Sequence, residues 1–196
     1  DGRIVIAIEN KYGLKYFAGC KEDHLGDWFS GIENYPNGGV VRTFSRKKLE
    51  KIFDACGVGE RSFYYPYPDY KFMTTVYSDA YLPGRGELSN NLRNFDRDRM
   101  LLFDEKSAFD GIVEEGLFSV FSNSYLAVIG KPLDLKYVRY SNDRAESFRI
   151  RTEILRDDRG NRIVRKYPLT KEAEAHVRHM MEAYEKLKGR YTGSRL

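Results

Sequence analysis

Arg3-Ile4-Val5-Ile6-Ala7-Ile8-Glu9-Asn10 is the stretch whose reading decides the fold. Its apolar residues follow one another without the polar alternation of a half-solvated strand. That predicts a central strand in a parallel or mixed sheet, covered on both faces and ended by the polar pair Glu9-Asn10. Residues 11–41 then form a polar, aromatic, glycine-bearing stretch too long for an ordinary connection, and such loops tend to carry binding surfaces. A helix follows, with Leu49, Ile52, Phe53 and Cys56 at i, i+3, i+4, i+7, Thr43 or Ser45 as N-cap and Gly57 as stop. Residues 61–65 predict the next strand, which the prolines of Pro66-Tyr67-Pro68-Asp69-Tyr70 turn aside before pairing resumes over 71–77. A helix over 107–115 places Phe109, Ile112 and Val113 on one side ahead of Gly116, and residues 118–129 read as strand.

The composition changes near Gly130-Lys131-Pro132. Residues 131–196 carry 17 Lys and Arg against 10 Asp and Glu, a net +7, whereas residues 1–130 carry a net −3. We therefore divide the chain into 1–130 and 131–196. In the second part, residues 136–140, 147–156 and 162–167 read as strands, the last two joined by a hairpin turn at Asp157-Asp158-Arg159-Gly160-Asn161. Thr170 caps a long helix to about residue 188, with Ala173, Val177, Met180, Met181, Tyr184 and Leu187 on its apolar face. The whole chain reads as α+β, ending in a small antiparallel sheet with one long helix.

Several function classes lose support. The 196 residues are 41% hydrophobic and include 15 Tyr, a globular composition rich in tyrosine. No apolar run reaches the ~18 residues of a membrane span, and the opening strand pattern has neither the charged start nor the cleavage site of a signal peptide. Cys20 and Cys56 form no C-x-x-C pair, and His24, His176 and His179 have no metal-ligand spacing, so a reducing cytosol without a metal is the expectation. G-x-G-x-x-G, P-loop and G-x-S-x-G motifs are absent. Nucleic-acid binding rests only on a pI of about 8.9 and scattered Arg and Tyr, with no contiguous basic stripe. The charges of 94–99, Asn94-Phe95-Asp96-Arg97-Asp98-Arg99, read as a local ion-pair network.

Three phrases point to a family. The opening Asp1-Gly2-Arg3-Ile4-Val5-Ile6-Ala7-Ile8-Glu9-Asn10-Lys11-Tyr12-Gly13 resembles the fifth strand of a class I S-adenosylmethionine-dependent methyltransferase. Thr43-Phe44-Ser45-Arg46-Lys47-Lys48-Leu49-Glu50, followed by Ala55-Cys56-Gly57, is similar to the helix after that strand. Phe63-Tyr64-Tyr65-Pro66-Tyr67-Pro68-Asp69-Tyr70-Lys71 looks like the next strand in methyltransferases that accompany bacterial surface-glycan glycosyltransferases. The resemblance covers residues 1–130 and implies a partial Rossmann-like methyltransferase half. In that family the glycine-rich turn and the acidic ribose contact lie on earlier strands, so this chain by itself is expected to bind S-adenosylmethionine weakly or not at all. Its partner would be the upstream half of the domain, and a sheet edge left open would favour self-association. Residues 131–196 carry a fainter likeness to the N-lobe of kinase-like phosphotransferases, in which Lys166 on a strand would meet Glu182 on the helix; we read this part as a linking or docking module.

The candidate site residues follow from position and type. Beyond the carboxyl end of the first strand, Glu9, Asn10 and Tyr12 stand where open α/β sheets bind ligands; the same pattern also suits residues that cap a strand and satisfy loop amides. His24, among Glu22, Asp23 and Trp28, suits a general base beside an apolar sugar face, or a surface imidazole. Tyr64, Tyr65, Tyr67, Asp69 and Tyr70 suit a carbohydrate groove, or half-buried packing. The expected function is transfer of a methyl group from S-adenosylmethionine to a sugar or glycan hydroxyl in surface polysaccharide synthesis, with Glu9 and His24 as catalytic candidates. The alternative is a non-enzymatic carbohydrate-binding or assembly module of a multidomain glycan-synthesis protein.

Overall fold

The computed structural model describes residues 2–89, 98–156 and 159–190. The chain divides into two compact units, Asp1–Lys136 and Tyr137–Leu196.

The first unit runs β1 (Ile4–Glu9), α1 (Leu14–Phe17), α2 (Arg46–Ala55), β2 (Arg61–Tyr67), β3 (Thr75–Ser78), α3 (Glu105–Glu114), α4 (Phe118–Phe121) and β4 (Ser124–Ile129). Its strands lie in the order β1-β4-β2-β3, each antiparallel to its neighbour. The last strand thus returns between the first two, and β1 and β2 point the same way with their carboxyl ends together.

β1 departs from the sequence expectation. It pairs with β4, from Ile4 opposite Ile129 to Glu9 opposite Ser124, and lies at the end of the strand order, not in a parallel interior. Ile4 and Val5 are 59% and 52% exposed. An unbroken apolar run records that a strand tolerates cover on both faces; it does not specify the neighbour that supplies it.

One sheet face is covered by α2, α3 and α4 through a continuous run of aromatic rings. Phe53 of α2 meets Phe63, which meets Tyr125 edge-on at 5.9 Å; Tyr125 meets Tyr65, and Tyr65 meets Phe118. Phe118 also touches Tyr77 at 5.5 Å and Phe109, and Phe109 touches Tyr67. Such pairs add about 0.5–1.5 kcal/mol each beyond area burial. The hydroxyls are spent inside this layer or at its rim: Tyr65 donates to Asp79, Tyr67 donates to the Leu88 carbonyl at 2.7 Å, and Tyr125 donates to that of Ser119. This layer takes four of the 15 tyrosines, Tyr65, Tyr67, Tyr77 and Tyr125.

Local signals place the helices. Ser45 caps α2 by accepting the Lys48 N–H at 3.3 Å, Leu49 and Phe53 are buried, and Gly57 adopts φ 69° just beyond the end. Asp104 caps α3 in the same way. Two expectations shift. Residues 118–121 form a helical turn instead of strand, closed by the Ser122 N–H on the Phe118 carbonyl at 2.8 Å, which turns Phe118 inward while Val120 stays outside. β2 also continues through Pro66 to Tyr67: β4 pairs only as far as Tyr64, so the proline has a neighbour on the β3 side alone.

The second unit contains β5 (Tyr137–Tyr140), a 3-10 turn at Glu146–Phe148, β6 (Ile150–Arg156), β7 (Arg162–Pro168) and α5 (Lys171–Arg190). β5, β6 and β7 are antiparallel, and β6 and β7 pair from Ile150 opposite Pro168 to Arg156 opposite Arg162. The strand expected from residue 147 starts at Ile150 because the 3-10 turn takes residues 146–148. Thr170 accepts the Ala173 N–H at 3.2 Å and caps α5. Only the first turns of the helix's apolar face are covered: Ala173 is buried, whereas Met181, Tyr184 and Leu187 are 62%, 50% and 44% exposed. Lys166 and Glu182 form no ion pair; Lys166 donates to Thr152 Oγ1 at 3.4 Å, so the phosphotransferase-like pairing is not formed. Of the hairpin turn, Asp157 and Asp158 lie outside the described residues, as do residues 94–97. Asp98 pairs with Lys21 and Arg99 with Glu105. Among the described residues, no helix is long and apolar enough to cross a membrane, and no cluster of His, Cys, Asp and Glu could hold a metal ion.

Candidate functional site

Two asparagines fix the chain where it leaves β1. Asn10 donates from Nδ2 to the carbonyls of Val120 and Ser122 at 2.7 and 2.8 Å and accepts the Tyr12 N–H on Oδ1 at 3.0 Å. Asn123 accepts the Lys15 N–H at 2.9 Å and donates to the Pro68 carbonyl at 2.9 Å. The clasp draws together the ends of β1 and β2 and the start of β4. Gly13 sits inside it: a Cβ there would lie 2.9 Å from Asn123 Cα, so no larger residue fits without a shift of backbone.

This turn aims α1 and the following loop at the paired strand ends. Lys15, 1% exposed, reaches Asp69 at 2.9 Å and Asp23 at 3.4 Å. Lys71 reaches Asp23 at 2.7 Å and Glu9 at 3.2 Å. Tyr70 donates its hydroxyl to Glu9 at 3.0 Å, and Tyr16 donates to Asp23. Three carboxylates thus alternate with two ammonium groups across the carboxyl ends of β1 and β2, with Lys71 the most solvent-exposed member at 31%. Burial alone would raise the Asp23 pKa, but the Lys15 charge and the hydrogen bonds from Lys71 and Tyr16 outweigh it and take it down to about 2. Lys15 is held above the usual lysine value: burial opposes its charge, and Asp69 and Asp23 more than compensate. Burial and the facing carboxylates push Tyr16 well up, and Tyr70 up likewise. Asp23 and Lys15 therefore stay ionised through the neutral range, and the arrangement is able to orient a polar ligand beside Glu9.

Of the residues singled out from sequence, Glu9, Asp69 and Tyr70 enter this network. Asn10 is fully buried and its amide is committed to the clasp. His24 is exposed; its backbone N–H donates to Glu22 Oε2 at 2.7 Å, and its ring bonds neither Glu22 nor Asp23. Trp28, 42% exposed, donates to the Gly19 carbonyl and has Lys21 Nζ 4.3 Å from its ring. Tyr65 and Tyr67 offer no ring face to a sugar, being 0% and 3% exposed within the aromatic layer. Alternation along a strand cannot tell a solvent face from a face that helices cover. Tyr12 lines a cavity of about 660 Å³ with Val120, Tyr125 and Arg46, and a second of about 370 Å³ beside it.

No family model matches the chain, and no curated protein or solved structure does. The site is defined by its own geometry.

Lys15 and Lys71 were missed in the sequence, and Asp23 was read only as a neighbour of His24. The available signal was Lys15 itself, a lysine within the otherwise apolar Leu14-Lys15-Tyr16-Phe17, which demands a buried acid once that helical turn is buried.

Proposed function

We propose that residues 1–136 are the glycan-facing half of an S-adenosylmethionine-dependent methyltransferase that acts on a sugar hydroxyl in surface polysaccharide synthesis. The observation that carries the reading is that β1 and β2, parallel to each other, end together under a charged cluster at their carboxyl ends, where open α/β sheets bind ligands. The uncovered, apolar β1 supports it too, because earlier strands of such a sheet would continue from that edge.

The described residues do not suit the cofactor itself. The turn after β1 has the single glycine Gly13, packed against Asn123, and no glycine-rich cradle. Every buried carboxylate near it is engaged: Glu9, Asp23 and Asp69 by lysines, Glu22 by the N–H groups of His24 and Leu25 and by the Tyr35 hydroxyl. We therefore assign this chain the acceptor side. Glu9 would take the proton of the acceptor hydroxyl, and Lys71, in contact with Glu9, would steady the charge. His24 stands outside this arrangement.

The carbohydrate-module alternative loses Tyr65 and Tyr67 from its binding surface. The two readings part in one experiment: methyl transfer from labelled S-adenosylmethionine to glycan by the chain together with the cofactor-binding half. Glu9→Gln is expected to slow transfer about 10²–10⁴-fold at unchanged fold; transfer by the variant at the original rate would remove Glu9 from the chemistry, and no transfer by the original protein would favour the binding module.

A further inference from the structure

Three cations without carboxylate partners converge on the smaller cavity beside the carboxyl end of β1. It is lined by Lys11, Arg42 and Lys48 together with Tyr35, Thr43 and Ser45, with no acid in its wall. Some cations of the same unit do meet carboxylates: Arg46 pairs with Glu50 and Asp79, Arg61 with Asp54, and Arg99 with Glu105. Among the described residues, no carboxylate lies within ion-pair distance of Lys11, Arg42 or Lys48. Like charges gathered around one small volume repel unless an anion joins them.

The contacts of Lys11 and Arg42 fix the direction of those two side chains. Lys11 Nζ donates to Asn34 Oδ1 and lies 5.1 Å from the Tyr12 ring. Arg42 donates from Nε to the Gly39 carbonyl at 2.8 Å, with its guanidinium 5.3 Å from the Tyr35 ring. Tyr35 is itself pinned, accepting the Thr43 N–H at 2.7 Å and donating to the buried Glu22 at 3.1 Å. The terminal nitrogens of Arg42 remain for a ligand, and a planar guanidinium with two ammonium groups is the donor set that suits phosphate oxygens. Ser45 and Lys48 are also in the wall of the larger cavity, where Tyr12, Val120 and Tyr125 offer apolar and aromatic surface of the kind a sugar ring packs on.

We infer that the substrate is an anionic saccharide, its phosphate held by Lys11, Arg42 and Lys48 and its sugar ring beside Tyr12. This specifies the substrate class of the proposed methyltransferase and rests on that reading for the identification of the ligand as a glycan. A sugar nucleotide and a phosphodiester-linked glycan share the chemistry.

The test is calorimetric titration of UDP-glucose, a glycerol-phosphate oligomer and neutral methyl glucoside into the whole chain, without cofactor. At least one phosphate-bearing probe is expected to bind, at least tenfold more weakly in Arg42→Gln/Lys48→Gln, with Lys186→Gln/Arg190→Gln on α5 unchanged; which probe binds identifies the source of the phosphate. Both double variants change exposed side chains, and an unaltered melting temperature checks the fold. No phosphate probe binding, an equal loss in both variants, or methyl glucoside binding as tightly as the phosphate probes would overturn the inference. The outcome is separable from the methyltransferase reading: phosphate binding by a protein that never takes S-adenosylmethionine leaves the anion site standing, and cofactor binding without phosphate binding overturns the anion site alone.

Discussion

Removing the Lys15 ammonium leaves Asp69 and Asp23 buried with one cation fewer between them. Breaking a buried ion pair from one side costs about 3–5 kcal/mol, while replacing both members with apolar groups restores much of the loss. Urea unfolding of Lys15→Met should show a loss of that order, with Lys15→Met/Asp69→Leu more stable than the single variant; a double variant as weak as the sum of the two singles would contradict the pairing. Asp23 sets a pH dependence. Its folded pKa of about 2 lies below the ordinary carboxylate value of 3.8, so its contribution is present above pH 4 and is lost as pH falls through 2. The difference amounts to about 2 kcal/mol. Denaturation measured between pH 5 and pH 2 should therefore fall more steeply for the original chain than for Asp23→Asn, and parallel curves would place the Asp23 carboxyl outside the network.

At the scale of elements, α4 holds the aromatic layer together because Phe118 touches Tyr65, Tyr77 and Phe109. Phe118→Ala should cost about 3–5 kcal/mol, read as a lower urea midpoint; a cost under about 1 kcal/mol would mean that the layer closes without that ring. The helices α2, α3 and α5 and the β6–β7 hairpin could be read from the sequence because their signals are local: an apolar period, a Ser or Thr cap, a glycine after the end. What stayed hidden was non-local. β1 finds its partner β4 more than a hundred residues later, Lys15 finds Asp69 across 54 residues, and the strand tyrosines owe their burial to helices elsewhere in the chain. For the same reason topology places Glu9 only at the carboxyl end of β1, whereas its contacts with Lys71 and Tyr70 could not be read.

For the molecule as a whole, the exposed apolar β1 and its open edge are the feature that most needs a partner. A flat apolar edge strand pairs with whatever offers a complementary edge, so the chain alone should self-associate in sedimentation at rising concentration, and Val5→Lys should shift it toward monomer without lowering its melting temperature. A clean monomer at every concentration would show that the edge is protected. The cofactor-binding half of a methyltransferase is the partner the proposed function supplies. Calorimetric titration of S-adenosylmethionine into the chain alone, and into the chain joined to an upstream half-domain, tests that account most directly. Binding only to the joined form is the predicted result, and no binding to either would contradict it.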